Sequence, residues 1–418
     1  MTVLNFLKFI PLYVALSLCG AGLPEITLSY NDALERTLRE HPALAENAAQ
    51  TEAAVGQIQQ AGRPPNPVIS AEWGNFLGSG PMRGVQSMEF TLTLSQTLET
   101  AQKRPRRVEL AKAQHAETLW DAKILRLEIE ARVRAAFVNA LLAAKDLSLR
   151  QEQVQLAKAS AAETERLVKA ALSPEVEAAR AQLAVRQQDF ELQSARRAYA
   201  SAKTELASLW SDAPESENFE PVGSLALSPD LPAYATLLAQ LPANPSLAAF
   251  KAQRRRYEAA LDLEEARAVP DLEVFAGGRY FNEADGEGAF ILGVQIPWPL
   301  FDKNKGNIHS ATALRHANRQ AEMRLQRSLR IQLNRAYRAL TIAHAEANSI
   351  ARDLLPAAEE TLSRTEAAYQ QGKFTQLAVL EARQTLFDLR ESHLNALRYY
   401  SMAQTEILNL TATRPNAP

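Results

Sequence analysis

Hydrophobic and polar positions alternate in four short segments of the chain. In MEFTLTLSQTLE, residues 88–99, every second side chain up to Leu94 is large and apolar, while the positions between carry Glu, Thr and Ser. Successive side chains of a β-strand point to opposite faces, so this spacing predicts strands with one apolar and one polar face. We predict such strands at 65–78, 84–98, 269–282 and 288–301. The charged members of the polar face, which would line a water-filled lumen, are Glu72, Glu89, Glu273 and Arg279.

Strands of this length fit either a membrane or a soluble core. A tilted strand crosses a bilayer in about ten residues, but an antiparallel sheet lying on a soluble core shows the same alternation. Aromatic residues near the strand ends favour the membrane, where they form interfacial girdles: Trp73, Phe76, Tyr280, Phe281, Trp298 and Phe301. Four strands cannot close a barrel, so a membrane-spanning sheet must be completed by other subunits.

The remainder of the chain has the pattern of long helices. Residues 106–173 and 307–355 contain neither proline nor glycine, and apolar residues recur there at steps of three and four. Such runs predict helices with packed apolar stripes and coiled-coil contacts. We predict helices at 31–62, 100–172, 175–210, 242–268, 308–372 and 375–411. The first long helix would be ~110 Å long, and two shorter helices laid end to end match it, which predicts a tall hairpin with the strands at one end.

The sequence contains an internal repeat. HPAL at 41 corresponds to NPSL at 244, and the same spacing relates the strands and the last helix of each half. We therefore predict a first structural repeat at 23–211 and a second at 242–418. The segment between them, 212–241, is rich in proline, serine and acidic residues and predicts a surface crossover that lies against the hairpins near their middle.

The N-terminus predicts export from the cytoplasm. Residues 1–22 contain one early lysine and then an apolar run that ends in small residues, as in a secretory signal peptide. Cys19 is the only cysteine and could be a lipid-attachment site; cleavage near Ala21 and a buried N-terminal helix are the alternatives. After this segment no apolar run is long enough for a transmembrane helix.

Two reversals in the helical pattern predict the ends of the hairpins farthest from the strands. In the first, Ser173 is expected to cap the next helix with Pro174 at its first position. In the second, Gly372 is expected to provide a left-handed C-cap. The first reversal has no glycine, so its shape stays open.

Charge and motif content predict neither an enzyme nor a nucleic-acid-binding protein. The net charge is −2, with both signs mixed along the chain. The six histidines lack the spacing of a zinc site, and no serine lies in a nucleophile motif. We therefore expect no catalytic, cofactor or metal site. Basic residues crowd positions 103–107; they either contact anionic groups or form a solvated junction held by nearby carboxylates.

The sequence resembles a known protein family, and three stretches resemble one branch of it. The duplicated pattern resembles the TolC-like outer-membrane efflux proteins over the whole mature chain. The stretches LSQTLETAQKRPRR (94–107), LSPEVEAARAQL (172–183) and IPWPLFDKNKGNI (296–308) are similar to its CzcC-like heavy-metal cation efflux branch. The chain departs from that branch at 101–104, where AQKR replaces a Gly-Lys-Arg step.

The resemblance implies a fold, a function and partners. The fold would be mostly α, with duplicated long hairpins forming a periplasmic α-barrel and four strands per chain completing a twelve-stranded transmembrane β-barrel in a homotrimer. The trimer would lie in the outer membrane of a Gram-negative bacterium, in contact with its lipid, as a passive conduit for heavy-metal cations. It would serve a proton-driven efflux pump of the inner membrane through a periplasmic adaptor (membrane fusion) protein. Aperture-forming and adaptor-contacting tips would be Ala170, Ala171, Leu172, Ser173, Pro174, Gln371, Gly372, Lys373 and Phe374.

Two other functions stay open at this point. The same channel could carry drugs or other small organic molecules, because a wide aqueous tube holds little cargo chemistry in its walls. A soluble periplasmic coiled-coil scaffold or adaptor is the alternative of a different class. Two equal hairpins, each interrupted by a pair of strands, favour the channel over that alternative.

Overall fold

The computed structural model describes residues 26–283 and 286–413. The predicted signal peptide and Cys19 lie outside the described residues. The first half contains β1 (Ile26–Leu28), α1 (Tyr30–Glu40), α2 (Pro42–Ala61), β2 (Val68–Gly74), β3 (Glu89–Leu98), α3 (Lys103–Lys169) and α4 (Glu175–Ala207). The second half contains β4 (Phe219–Pro221), α5 (Tyr234–Gln240), α6 (Pro245–Arg267), β5 (Leu272–Phe281), β6 (Glu287–Gln295), α7 (Lys305–Ser349), α8 (Leu355–Gln370) and α9 (Gln376–Thr411).

The helices form the two predicted hairpins. Helix α3 has 67 residues and is therefore ~100 Å long. It packs against α4 on one side, against α2 and α6 toward the strands, and against α9 toward the tips. In the second hairpin α7 and α8 run alongside α9. No helix among the described residues combines the length and the hydropathy that crossing a membrane requires.

Two predicted helices are interrupted, each beside a proline. The helix predicted at 31–62 is wrong as one piece, because His41 is extended (ψ 120°) and separates α1 from α2. Pro42 has no N–H to donate and opens α2, while the His41 ring accepts a hydrogen bond from the N–H of Ala43 at 3.2 Å. The helix predicted at 308–372 contains a π-helical turn at Ile350–Leu354, directly before the helix that carries Pro356 near its start.

Four antiparallel strands form one sheet in the order β2-β3-β5-β6. The two repeats meet where β3 pairs with β5, and Thr91 lies between Glu72 on one side and Arg279 on the other. All four strands lie within or near the predicted segments but are shorter than predicted. Within the described chain, β2 and β6 each pair on one side only and leave a free edge.

The crossover lies against the hairpins far from the sheet. Strand β4 pairs in parallel with β1, and Phe219 of β4 joins a buried cluster around Phe137 of α3. Farther along, the N–H of Ser228 donates to the hydroxyl of Tyr400 (3.3 Å), and its carbonyl lies 2.8 Å from Nε2 of His344. His344 is ~60 Å along α7 from the sheet end and ~40 Å from the tip, which agrees with the expected position near the middle.

Candidate functional site: the sheet and the two hairpin tips

One face of the sheet carries all four of the charged residues predicted for it. The strand register brings Glu72, Glu89, Glu273 and Arg279 to the same side. Nη1 of Arg279 lies 3.3 Å from a carboxylate oxygen of Glu89, and Nε donates to Oγ1 of Thr91 at 3.0 Å. Within the described chain, Glu72 and Glu273 have no ion-pair partner. This face is therefore polar, with two unneutralised carboxylates and one ion pair.

The opposite face is apolar and uncovered. Phe290 is 99% exposed and Leu292 86% exposed on β6, and Trp298 beyond the strand is 83% exposed. On the other edge, Trp73 packs on Phe90 with ring centroids 5.0 Å apart. Exposing a whole sheet face of large apolar side chains to water costs free energy. The described part of the chain supplies no element that covers them.

Glycines on the polar face allow the strands to lie close together. A Cβ at Gly277 would come 2.1 Å from the carbonyl oxygen of Leu92, and one at Gly293 would come 2.2 Å from the ring of Phe275. Phe275 thus lies over the neighbouring glycine on a face that alternation marks as polar. The sequence pattern gave no signal for this ring, because it departs from the period of two.

The loop of the first hairpin, at the far end of the sheet, is longer than predicted. Strand β2 ends at Gly74, whereas its predicted end is 78. Strand β3 begins at Glu89, whereas its predicted start is 84. Positive φ angles at Asn75 (55°) and Leu77 (56°) turn the chain out of the strand. The side chain of Asn282 from the other hairpin donates to the carbonyl of Val85 at 2.9 Å, which joins the two loops.

The basic residues at the start of α3 are mostly held by carboxylates. Lys103 is buried and lies 2.7 Å from Asp271, while Arg106 lies 2.6 Å from Asp262. Arg107 pairs with Glu99, and this hydrogen bond raises the pKa of Arg107. Of the two hypotheses for this cluster, these contacts support the junction held by carboxylates. Arg104 is exposed and has no ion pair among the described residues.

The two hairpin tips share one backbone geometry. Gly372 lies in the left-handed region (φ 72°) and its N–H donates to the carbonyl of Tyr369 at 2.9 Å. Ala171 does the same at the first tip, with φ 56° and a 2.9 Å bond to Val168. Both helices thus end in Schellman-type caps. The left-handed cap predicted at Gly372 is confirmed, and at the first tip an alanine takes the place of the glycine.

The predicted cap of α4 is wrong. Helix α4 begins at Glu175, with Pro174 rather than Ser173 as its N-cap and without a side-chain cap. Pro174 has an extended ψ of 148°, so it ends the loop instead of opening the helix. At the second tip Oγ1 of Thr375 accepts from the N–H of Ala378 at 3.4 Å. Only one of the two returning helices is capped by a side chain.

The remaining predicted tip residues lie where expected, in the two connecting loops. Ala170 and Leu172 follow α3, and Gln371, Lys373 and Phe374 follow α8. Leu172 is 76% exposed and Phe374 is 54% exposed, so each tip presents one large apolar side chain. Nothing in the described chain covers these two side chains.

Ion pairs join the hairpins above the tips. Arg390 of α9 lies 3.2 Å from Glu152 of α3, and Arg150 of α3 lies 2.8 Å from Glu391 of α9. Close by, burial and the charge of Lys145 lower the pKa of His393. Sequence reasoning missed these pairs, because their members are separated by more than 200 residues and no local pattern connects them.

A groove of about 670 Å³ opens between α3, α4 and α9 near the tips. Leu156, Leu380 and Phe387 provide apolar lining, and Arg180 and Arg383 provide charge. Among the described residues, no group of three or more His, Cys, Asp or Glu side chains is placed to hold a metal ion.

Comparison with known proteins agrees with this architecture. The model of the family described as outer membrane efflux protein matches residues 33–211 and 239–413. The chain is 29% identical to the cobalt-zinc-cadmium resistance protein CzcC of Cupriavidus metallidurans, over 87% of this chain and 85% of that protein. Among solved structures, the outer-membrane channel OprN superposes with a TM-score of 0.75 at 17% identity, covering 91% of this chain and 89% of OprN.

A second solved structure gives the same fold. The outer membrane protein VceC from Vibrio cholerae superposes with a TM-score of 0.73 at 18% identity, over 91% of this chain and 95% of VceC. The family model matches each of the two repeats separately. This chain is therefore a member of the outer membrane efflux protein family, an outer-membrane protein with a large periplasmic part.

Proposed function

We propose that three copies of this chain form an export conduit in which each contributes four strands to a twelve-stranded barrel. The observation that carries this proposal is the open sheet, with an apolar face, a polar face and two free edges. In hydrocarbon an unpaired strand edge leaves N–H and C=O groups without partners, so the edges must be joined. Pairing β2 of one copy with β6 of the next satisfies both edges and repeats until the ring closes.

The difference between the two faces of the sheet determines which face is on the outside of the proposed barrel and which is on the inside. The apolar face, with Phe290 and Leu292, contacts lipid, and the polar face, with Glu72 and Glu273, lines the lumen. Below the membrane, hairpins of ~100 Å continue the tube toward the inner membrane. Their tips form the periplasmic aperture and contact an adaptor protein, which couples the tube to a proton-driven pump.

We further propose that the cargo is a set of divalent heavy-metal cations. The support is the similarity to CzcC, which is named for cobalt, zinc and cadmium resistance and is matched over most of both chains. Free carboxylates on the polar face are compatible with cation passage, since Glu89 alone is neutralised by an arginine. The channel role does not depend on this cargo.

The test is growth of a strain that lacks this protein. Cells are exposed to graded zinc, cobalt, cadmium, nickel, copper and silver, and in parallel to dyes and antibiotics. We expect selective sensitivity to divalent metals, restored by the wild-type gene on a plasmid. Sensitivity to drugs with normal metal tolerance would overturn the cargo and leave the channel, whereas a monomer released by osmotic shock would overturn the channel itself.

A further inference from the structure

A stretch of helix α7 between the sheet and the crossover is strongly basic. From Arg315 to Arg338 it contains seven arginines and one carboxylate, Glu322. That carboxylate lies 3.3 Å from Arg254 of α6 and is therefore already paired. The whole chain has a net charge of −2, so this stretch concentrates positive charge that its own helix does not neutralise.

Three of these arginines fall on one side of α7. Arg319, Met323, Arg327 and Arg330 follow one another at steps of four, four and three, so they share one side of the helix. The three arginines are exposed, and none of them forms an ion pair with another described residue. Their charge is therefore available to a partner.

Helix α6 adds two cations on the neighbouring surface. Lys251 and Arg255 follow Leu247 at steps of four, and both are exposed and without an ion pair in the described part of the chain. Nδ2 of Asn304 donates to the carbonyl of Glu264 at 2.7 Å, so the upper ends of α6 and α7 are level. At 1.5 Å per residue the cations lie ~15 to ~40 Å below this joint. We call these cations the basic face: Lys251, Arg255, Arg319, Arg327 and Arg330.

A groove of about 480 Å³ shows which side of the hairpin the basic face occupies. Arg327 and Arg330 line it together with Leu238 and Leu241 of the crossover, and Leu247 of α6 lines it too. The basic face therefore lies on the same side of the hairpin as the crossover. Three crossovers, one from each copy, would obstruct the proposed tube if they lay inside it. The basic face is thus on the outside of the tube, away from the cargo.

The position and spread of the basic face exclude two kinds of partner. Lipid headgroups extend roughly 5–8 Å beyond the hydrocarbon, and exposed charges act over about 8 Å at physiological ionic strength. Arg327 and Arg330 lie ~35–40 Å below the upper ends of the helices, so the outer membrane is out of their reach. The five cations are spread over ~25 Å along the helices instead of converging on one point, which argues against a single small anion. An extended polymer with many anionic groups fits this arrangement.

We propose that the basic face binds the carboxylates of the peptidoglycan layer. This inference rests on the proposed tube, because the tube gives the hairpins an outer side. An outer-membrane protein with hairpins of ~100 Å passes through this layer, which then surrounds the tube, and three copies present a basic face in three directions. The stem peptides of peptidoglycan combine carboxylates with alanine methyl groups. Arginine holds a carboxylate through two parallel hydrogen bonds, and Leu238 and Leu241 beside the arginines offer contacts to the methyl groups.

Co-sedimentation with isolated peptidoglycan sacculi tests this contact. The purified protein is mixed with sacculi in detergent, the sacculi are pelleted, and the bound protein is measured on gels. We expect the wild type to pellet at low salt and to be released by about 0.5 M salt, because salt screens the attraction. The variant Arg319→Gln/Arg327→Gln/Arg330→Gln should bind about fivefold less or weaker still, since it loses the charged hydrogen bonds. Sacculi whose carboxylates have been converted to amides should lose binding of the wild type to the same extent.

The matched control is the variant Arg126→Gln/Arg166→Gln/Arg364→Gln. It removes the same charge from three exposed arginines, each of which pairs with a glutamate three or four residues away on its own helix. It should bind within about twofold of the wild type, because such surface pairs contribute little. Equal binding of the basic-face variant and the wild type, equal loss in the control, or equal binding to amidated sacculi overturns the proposal.

Heat-dependent gel mobility of the trimer is recorded for every variant. If the trimer of the basic-face variant dissociates at a lower temperature than that of the wild type, a neighbouring copy covers these arginines, and this outcome also overturns the proposal. An intact trimer that does not pellet with sacculi refutes the peptidoglycan contact alone. A wild-type protein that forms no trimer refutes the proposed function.

Discussion

The exchange of alanine and glycine at the two tips allows a reciprocal test of backbone strain. Ala171 holds a left-handed conformation (φ 56°) that Gly372 holds at the second tip (φ 72°). A residue with a Cβ loses roughly 1–2 kcal/mol in this region. Glycine avoids that cost but loses roughly 0.4–1 kcal/mol through the greater freedom of the unfolded chain. The difference predicts that Ala171→Gly stabilises the first tip by about 0.5–1 kcal/mol.

The reverse change has the opposite sign and a similar size. A Cβ added at Gly372 meets nothing within 4 Å, so Gly372→Ala introduces no clash and only the backbone cost remains. We therefore expect a loss of about 0.5–1 kcal/mol at the second tip. The double variant should be close to wild type in summed tip stability, because the two tips do not share hydrogen bonds.

Hydrogen exchange followed by mass spectrometry measures these effects locally. The reporters are the N–H groups of Leu172 and Lys373, which donate to Leu167 and Ala368 at 2.9 Å. The predicted free energies correspond to about a two- to fivefold change in protection, upward for Ala171→Gly and downward for Gly372→Ala. Ala170→Gly is the matched control, since that residue is right-handed (φ −84°). It should lower protection, and higher protection in this control or lower protection in Ala171→Gly would refute the strain argument.

Four further predictions concern the rest of the molecule. Phe137→Ala removes a ring with 0% exposure and should lower the free energy of unfolding by about 3–5 kcal/mol; a loss under about 1 kcal/mol would mean that the cluster collapses around the gap. Asn244→Ala removes a buried hydrogen bond to the carbonyl of residue 410 (2.9 Å) and a partly buried one from the N–H of residue 246 (2.8 Å), and should lower the denaturant midpoint by the equivalent of about 1–3 kcal/mol. Gly277→Ala places a Cβ 2.1 Å from the backbone of β3 and should abolish the proposed trimer, measured as a heat-sensitive band from outer-membrane fractions on gels, whereas normal amounts of that band would contradict the close strand approach. Burial lowers the pKa of His393, so its contribution to stability is present above the usual value of about 6.5 and is lost as pH falls below it; His393→Gln should flatten the fall in melting temperature between pH 7 and pH 5, and an unchanged slope would contradict this.

The faces of the strands could be predicted from the sequence because the period of two is set by strand geometry alone. Glu72, Thr91 and Arg279 share one face in the structure, as their positions in the alternation require. Phe275, Phe281 and Ile291 are apolar residues that the register puts on this polar face. The ring of Phe275 covers Gly293 across the strand pair, and a contact between two strands is not visible in either strand by itself.

The interrupted first helix had a signal that sequence reasoning did not use. Asn244 and Pro245 begin α6 in the second repeat, as His41 and Pro42 begin α2 in the first. The alignment of the two repeats contained this information, since a helix start in one repeat predicts a helix start in the other. The uncapped α4 had no comparable signal, because both Ser173 and Pro174 are residues that commonly begin helices.

Contacts between the hairpins were beyond the reach of sequence patterns. Arg390 and Glu152 are separated by 238 residues, and many other surface arginines and glutamates have the same local surroundings. The left-handed Ala171 was also unpredictable, because the usual signal for that conformation is a glycine. In both cases the tertiary structure selects one state from several that the local sequence permits.

The pairing of β3 with β5 at the centre of the sheet bears on how this gene arose. Each half of the chain supplies two strands and one hairpin, and the two halves join side by side through β3 and β5. In the proposed trimer, neighbouring copies would join in the same way, so an ancestral gene of half this length would have encoded a ring of six identical subunits with a single kind of interface. Duplication and fusion would then have joined these subunits in pairs, after which the interface within each chain and the interface between chains could change independently.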